Sequence, residues 1–151
     1  QYNSISILLS TSTDMSAVTG YLFNYRALGD YSIWKIINND WINNTGSSTA
    51  IKGWTPSSFV NENLNAWNIL KIVRAGNNYS FYINNHLVKS FSDATYDPRL
   101  IILTFFNDNK SIEIQYDYVR LDVGAALGLM PADATSVSNP VAGQDHTGAR
   151  K

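Results

Sequence analysis

The sequence contains no cysteine and few charged residues. The absence of Cys from all 151 residues excludes disulfide bonds, Cys-ligated zinc or iron–sulfur centres and thiol nucleophiles. Only 15% of the residues are charged and the formal net charge is -1, which excludes a simple electrostatic nucleic-acid binder and a polybasic membrane-surface protein. No apolar run approaches the roughly 20 residues that span a bilayer. We therefore expect neither a nucleic-acid partner nor a membrane span.

The polar side chains of the sequence are mainly amides and hydroxyls, and aromatic rings are also frequent. The chain has 17 Asn and 16 Ser, and 13% of its residues are Phe, Trp or Tyr. Such side chains offer hydrogen bonds and stacking rather than ion pairs. The composition is therefore compatible with a neutral glycan ligand or with close packing of identical copies.

The hydrophobic pattern predicts an all-β fold. Short runs rich in Ile, Val, Tyr, Phe and Trp recur between clusters of Asn, Gly, Asp and Ser, and helical periodicity is almost absent. This pattern is typical of an all-β sandwich or barrel. The predicted strands are Ser4–Ser10, Gly20–Ala27, Tyr31–Ile37, Thr49–Trp54, Trp67–Ala75, Tyr79–Ile83, His86–Phe91, Leu100–Phe106 and Ser111–Val123.

Two turns in the middle of the chain predict hairpins. Asn tolerates a positive φ better than most residues, so Asn84 and Asn85 can form a two-residue type I′ turn. The segment Gly76–Asn78 predicts a second hairpin between the strands that flank it. Together these turns predict a meander of three antiparallel strands.

The chain changes character after Val123. Apolar and polar residues alternate along Ser111–Val123, which predicts a last strand. From Met130 onward no aromatic residue occurs, and the segment lacks the apolar mass that would offset its ordering entropy. We therefore predict a β-sandwich domain over residues 1–123 and an extended linker or tail over 124–151. The tail is a candidate for donating a strand to a neighbouring copy, which would make the protein a homo-oligomer.

Features of the sequence favour an extracellular or cell-surface location. Residue 1 is Gln rather than Met, and no basic segment followed by an apolar one opens the sequence. Asn43, Asn78 and Asn109 each begin an Asn-X-Ser/Thr triplet, which is the acceptor for glycosylation in secreted eukaryotic proteins. We expect a processed or excised segment of an extracellular protein.

The acidic residues do not form a recognisable catalytic pair. Glycosidases need two facing carboxylates about 5–10 Å apart, and the chain holds only two glutamates, Glu62 and Glu113. Asp117 would share a strand face with Glu113 but lie roughly 13 Å from it. We therefore assign no catalytic residue and favour a non-catalytic domain.

A structural calcium ion is an open alternative, because loop Asp and Asn residues are common calcium ligands. These residues are also ordinary turn formers. The candidates are Asp14, Asp30, Asp93, Asp97 and residues 107–109.

Most of the large aromatic side chains are expected in the core, among them Trp67, Phe105 and Phe106. Trp41 and Trp54 differ, because polar residues and turn formers flank both. A large aromatic ring in a polar context either anchors a loop or presents a platform against which a sugar ring can stack.

Three segments follow an ordered pattern of strands and turns. They read GYLFNYRALGDYSIWKI, NAWNILKIVRAGNNYSFYINNHLVKSFSD and IEIQYDYVRLD. In this pattern the chain resembles the concanavalin-A-like and laminin-G-like jelly-roll superfamily, which includes lectins, glucanases, carbohydrate-binding modules and domains of the 3-keto-disaccharide hydrolase type. The resemblance implies a two-sheet antiparallel jelly-roll sandwich.

The resemblance also implies a ligand groove. In the superfamily, Trp-containing loops and a Tyr/Arg pair on the concave sheet often form this groove. The corresponding residues here are Arg26, Tyr31, Trp34, Trp41 and Trp54. We therefore predict a non-catalytic carbohydrate-binding or adhesive domain. Two alternatives remain open, a structural subunit of a surface fibre or self-assembling array and, by fold analogy alone, a glycoside-active hydrolase.

Overall fold

The computed structural model describes residues 3–14, 16–40, 48–63, 65–106, 114–117 and 119–120. The chain divides into two compact units, Gln1–Glu113 and Ile114–Lys151. All strands of the described residues lie in the first unit. None of the described residues belongs to a helix with the length and hydrophobicity that a membrane crossing requires.

The first unit is an antiparallel β-sandwich with a five-stranded and a three-stranded sheet. Its strands are β1 (Ser4–Ser10), β2 (Gly20–Arg26), β3 (Asp30–Ile36), β4 (Thr49–Pro56), β5 (Leu70–Ala75), β6 (Asn78–Ile83), β7 (His86–Ser92) and β8 (Leu100–Phe106). The large sheet has the order β4-β3-β2-β1-β8, and the small sheet has the order β5-β6-β7. The predicted all-β, two-sheet architecture is confirmed.

The strand boundaries follow the hydrophobic pattern closely, with two exceptions. β5 begins at Leu70, whereas the apolar run predicted a start at Trp67. At the described residues 114–117 and 119–120 the predicted last strand, Ser111–Val123, is not formed. The strand pairings of the two described sheets do not include these residues. The tail predicted over residues 124–151 lies outside the described residues.

Aromatic side chains from both sheets fill the space between them. The Tyr21 and Tyr79 ring centroids are 4.7 Å apart, and those of Phe23 and Phe81 are 5.2 Å apart in an edge-to-face arrangement. All four side chains are fully buried. Because the first residue of each pair belongs to β2 and the second to β6, these contacts hold the sheets together.

Three aromatic residues that we expected in the core are exposed instead. Trp67 is 57% exposed, and Phe105 and Phe106 are each 56% exposed. Trp67 precedes β5 rather than lying within it, and β8 is an edge strand of the described sheet. Trp67 stands at the start of an apolar run and Phe105 and Phe106 lie within one, which predicted burial, but burial needs a second layer above the side chain.

The backbone conformations of the hairpin turns agree with the residues that occupy them. Asn84 and Asn85 have φ values of 48° and 67°, as a type I′ turn requires at its two central positions. Gly76 has a φ of 59°, and it begins the two-residue connection between β5 and β6. The predicted three-stranded meander is confirmed.

A three-residue loop joins β2 to β3 and depends on Gly29. The Gly29 N–H donates a hydrogen bond of 3.1 Å to the Arg26 carbonyl, and Gly29 has a φ of 84°. Such a left-handed residue at the end of a three-residue hairpin loop favours glycine. The loop places Arg26 directly opposite Asp30 in the β2–β3 ladder.

We expect Gly29→Ala to lower the free energy of unfolding by about 1–3 kcal/mol, because a side chain strains the left-handed backbone. Its methyl group would also overlap the Glu62 carboxylate. Gly53→Ala is the matched control, because a Cβ there meets nothing within 4 Å, and it should change stability by less than about 0.5 kcal/mol. Urea unfolding measures both, and equal effects would contradict the strain at Gly29.

An ion pair at one end of the sandwich links the two sheets. Lys35 of β3 donates hydrogen bonds of 2.8 Å to the carboxylate of Asp93, which directly follows β7, and to the Thr95 hydroxyl. Burial acts to raise the pKa of Asp93, but the hydrogen bonds from Lys35 and Thr95 outweigh it and hold that pKa well below its ordinary value. Burial and the Asp93 charge also raise the pKa of the nearby Tyr21.

We expect Asp93→Asn to lower the free energy of unfolding at pH 7 by about 1.5–3 kcal/mol. Because the folded pKa lies below the unfolded value of about 3.9, the stabilisation is present above about pH 4 and is lost as the pH falls further. The difference between wild type and variant should therefore shrink at about pH 2.5. Chemical unfolding at the two pH values tests this expectation.

Asp97→Asn is the control for this pair. Asp97 accepts hydrogen bonds from Arg74 and Arg99, but its side chain is 59% exposed, so its loss should cost at most about 1 kcal/mol. A wild-type to Asp93→Asn difference that stays constant with pH would contradict the assignment to the Asp93 charge.

Candidate functional site

The large sheet has a second face, which points away from the small sheet. We call it the outer face. Because side chains alternate along a strand, the antiparallel register arranges its residues in rows across β8, β1, β2 and β3. One row consists of Phe106, Ser4, Arg26 and Asp30, the next of Thr104, Ser6, Asn24 and Ser32, and the third of Ile102, Leu8, Leu22 and Trp34.

The apolar row is covered by the connection between β1 and β2. Val18 of this connection packs with Leu8, Leu22 and Ile36 in a small buried cluster. The Asn39 N–H donates a hydrogen bond of 2.8 Å to the Val18 carbonyl, which holds the connection in place. One end of the outer face is therefore closed by hydrophobic packing.

The polar row forms a connected chain of hydrogen bonds. Ser6 donates through Oγ to the Asn24 Oδ1, and Asn24 donates through Nδ2 to the Ser32 Oγ over 3.1 Å. The Ser32 Oγ also accepts a bond of 3.0 Å from the Trp34 Nε1. All three of the linked hydroxyl and amide side chains are buried, so their mutual hydrogen bonds offset the loss of water.

The charged row carries an ion pair beneath an aromatic ring. Arg26 donates through Nε to Asp30 Oδ1 over 2.7 Å and through Nη2 to Asp30 Oδ2, so the pair is bidentate. The Arg26 Cζ lies 3.9 Å from the Trp54 ring centroid. At this distance the guanidinium stacks on the indole.

Irregular pairing between β3 and β4 places Trp54 above this pair. Tyr31 pairs with Thr55 and Ile33 pairs with Lys52, so β4 contains one residue more than β3 over this interval. Such a bulge bends the strand and changes the direction of a side chain. Trp54 stays 40% exposed next to Arg26.

These residues enclose a shallow, open depression of about 250 Å³, which we call the groove. Ser4, Ser6 and Asn24 line its floor. From the strand order, Arg26 and Trp54 bound it on the β4 side, and residues of β8 bound it on the opposite side. The groove therefore combines an aromatic ring, a guanidinium, an amide and hydroxyl groups. Its β8 lining consists of Thr104, Phe105 and Phe106.

The structure brings three of the five predicted ligand residues to the outer face. Arg26 and Trp54 line the groove, and Trp34 contributes its Nε1 to the polar row. Tyr31 instead points between the sheets, where its hydroxyl donates a bond of 2.9 Å to the Val88 carbonyl and burial raises its pKa. Trp41 lies outside the described residues.

Sequence reasoning missed the polar floor of the groove. Ser4, Ser6 and Asn24 carry no motif, and each is an ordinary residue by itself. A usable signal did exist, because Asn24 lies two residues before Arg26 on the same strand and therefore shares its face. The serines at alternate positions of β1 gave the same signal, but only the β1–β2 register places them beside Asn24.

The aspartates considered as calcium ligands have partners within the protein. Asp30 and Asp93 form ion pairs with Arg26 and Lys35, and Asp14 accepts hydrogen bonds from Ser16 in its own turn. The remaining described candidate, Asp97, binds two arginines. Residues 107–109 lie outside the described residues. Within the ranges that the structure describes, no three His, Asp or Glu side chains are grouped as metal ligands.

The residues considered for catalysis lie away from the groove or outside the described residues. Glu62 is exposed beside Gly29 and does not line the groove. Glu113 lies outside the described residues. The described groove lining offers hydroxyl, amide and guanidinium groups beside the aromatic rings of Trp54 and Phe106.

Comparison of the chain with protein-family models, with curated proteins and with solved structures finds no match.

Proposed function

We propose that the protein is a non-catalytic carbohydrate-binding or adhesive domain, and that the groove on its outer face takes the carbohydrate. The observation that carries this proposal is the position of the exposed Trp54 ring beside a floor of hydroxyl and amide groups. A sugar ring has an apolar face, which stacks on an aromatic ring, and hydroxyl groups, which exchange hydrogen bonds with amides and guanidinium groups.

The construction of the groove supports recognition of a ligand with little rearrangement. Asn24 is held by Ser6 and Ser32, and Arg26 is held by Asp30 and Trp54. Groups that are already ordered lose less conformational entropy when a ligand binds. The predicted roles of Arg26, Trp34 and Trp54 belong to this proposal, and Trp41 stays a prediction.

We further propose a jelly-roll topology and an extracellular or cell-surface location. In the large sheet β1 pairs with both β2 and β8, and the chain passes to the small sheet after β4 and returns after β7. Such crossings between two antiparallel sheets support a jelly roll. The extracellular location rests on the Asn-X-Ser/Thr triplets and the low charge of the sequence.

We expect Trp54→Ala to weaken glycan binding by at least about tenfold, since a stacking surface worth about 1.4 kcal/mol is removed. The melting temperature should fall by less than about 4 °C, because the ring is partly exposed. Trp67→Ala is the matched control, since Trp67 is exposed but does not line the groove. Retention on immobilised glycans and thermal unfolding give the two readouts.

The proposal fails if wild-type protein retains no glycan from a broad array. It also fails if Trp67→Ala weakens binding as much as Trp54→Ala does.

A second candidate function, a subunit of a surface assembly, is favoured by β8. This strand forms an edge of the described large sheet, and Ile101, Phe105 and Phe106 on it are more than 40% exposed. An exposed apolar edge strand can pair with a strand of another copy. The two functions are compatible, because an assembly on a surface can also bind sugars.

We expect Ile101→Lys to reduce self-association, because a charged side chain on an edge strand opposes pairing between sheets. Sedimentation velocity over a range of concentrations should show larger species for the wild type and mainly monomer for the variant. Leu28→Lys replaces a similarly exposed residue in the β2–β3 loop and should leave association unchanged. A wild type that is monomeric at every concentration would rule out this second function.

A further inference from the structure

The charge in the groove is already balanced before a ligand binds. Arg26 is the charged residue that lines the groove, and Asp30 holds it through two hydrogen bonds. Their side chains are only 13% and 14% exposed, so solvent screens the pair weakly. The Arg26–Asp30 pair therefore adds no net charge to the groove, whose lining also includes the apolar rings of Trp54 and Phe106.

From this pairing we infer, on the basis of the proposed function, that the groove selects neutral sugar units over acidic ones, and that Asp30 is the residue that sets this selectivity. A carboxylate or sulfate on a sugar would approach the Arg26 guanidinium with the Asp30 carboxylate beside it. The attraction of this acidic group to Arg26 would be opposed by its repulsion from Asp30. The free-energy cost of removing the acidic group from water would therefore not be offset.

A neutral hydroxyl meets no such penalty. The Asn24 amide oxygen in the groove lining can accept a hydrogen bond from a sugar hydroxyl, and N–H and O–H groups of the floor can donate them. The Trp54 ring can stack on the apolar face of a neutral or an acidic sugar, so stacking gives no advantage to the acidic one. The residues of the groove therefore favour hydroxyl groups on the ligand and disfavour an added negative charge on it.

The size of the groove indicates that one sugar unit is recognised at a time. Its volume of about 250 Å³ lies just below the range of about 300–1,000 Å³ for pockets that enclose a drug-sized ligand. Of the described residues that line the groove, Trp54 is the one with an indole ring, and it offers stacking area for one sugar ring. Selectivity for a neutral unit should therefore already appear with short oligosaccharides.

The test compares pairs of short oligosaccharides that differ only in one acidic substituent. Each neutral hexose or N-acetylhexosamine oligosaccharide is matched with its uronate, sialylated or sulfated counterpart, and binding to the full chain is measured by calorimetry. We expect the wild type to bind the neutral member at least about fivefold more tightly. The measurement is repeated at low and at physiological ionic strength, because electrostatic preferences weaken with salt.

Asp30→Asn tests the role of the carboxylate directly. It keeps a side chain of similar shape but removes the negative charge beside Arg26, so we expect the preference to move toward the acidic member and to weaken with salt. Arg26→Gln combined with Asp30→Asn removes both charges and should bring the preference back toward the neutral member. Asp97→Asn removes a carboxylate outside the groove and should leave selectivity unchanged.

The outcomes separate the inference from the proposed function. If no member of any pair binds, the proposed function fails and the inference fails with it. If the wild type binds the acidic members as tightly or more tightly, the proposed function stands and the inference is overturned. The wild-type comparison decides this even if a variant does not fold. A folded Asp30→Asn protein, checked by near-ultraviolet circular dichroism, that keeps the neutral preference would overturn the role of Asp30.

Discussion

The alternation of side chains along β2 is the constraint on which the rest of the sandwich depends. This strand is the middle one of the large sheet, and Gly20 through Tyr25 are buried on both of its faces. Tyr21 and Phe23 point toward the small sheet, whereas Asn24 and Arg26 point to the outer face. A slip of one residue in its pairing would exchange the two sets and place a charged and an amide side chain among aromatic rings.

The groove is a consequence of the same register. The pairing that brings the interior aromatic rings together also puts Asn24 between Ser6 and Ser32, and it sets Arg26 opposite Asp30. The groups that would contact a ligand are therefore also groups that satisfy one another in its absence. Side chains that hydrogen-bond one another in this way are held in one arrangement, which is the basis on which we propose binding with little loss of entropy.

Local features were predictable because their causes are local. The type I′ turn at Asn84 and Asn85 depends on the backbone freedom of two residues, and most strand boundaries follow short apolar runs. Features that need a second layer were not predictable. Trp67 precedes an apolar run and Phe105 lies in one, yet both are exposed, because neither the residues before a strand nor the edge of a sheet receive a covering neighbour from their own segment.

Some residues of the candidate site could likewise be predicted from the sequence, and others could not. The sequence by itself determined an all-β chain whose polarity lies in amides and hydroxyls, and it set Trp54 apart as a large aromatic residue in a polar context, whereas Arg26 was predicted as a ligand residue from the resemblance. Only the tertiary structure decided that Tyr31 points inward and that Asn24 belongs to the groove. The physical reason is that a face of a sheet is defined by pairing between strands distant in the chain, and this pairing has no signature in any single segment.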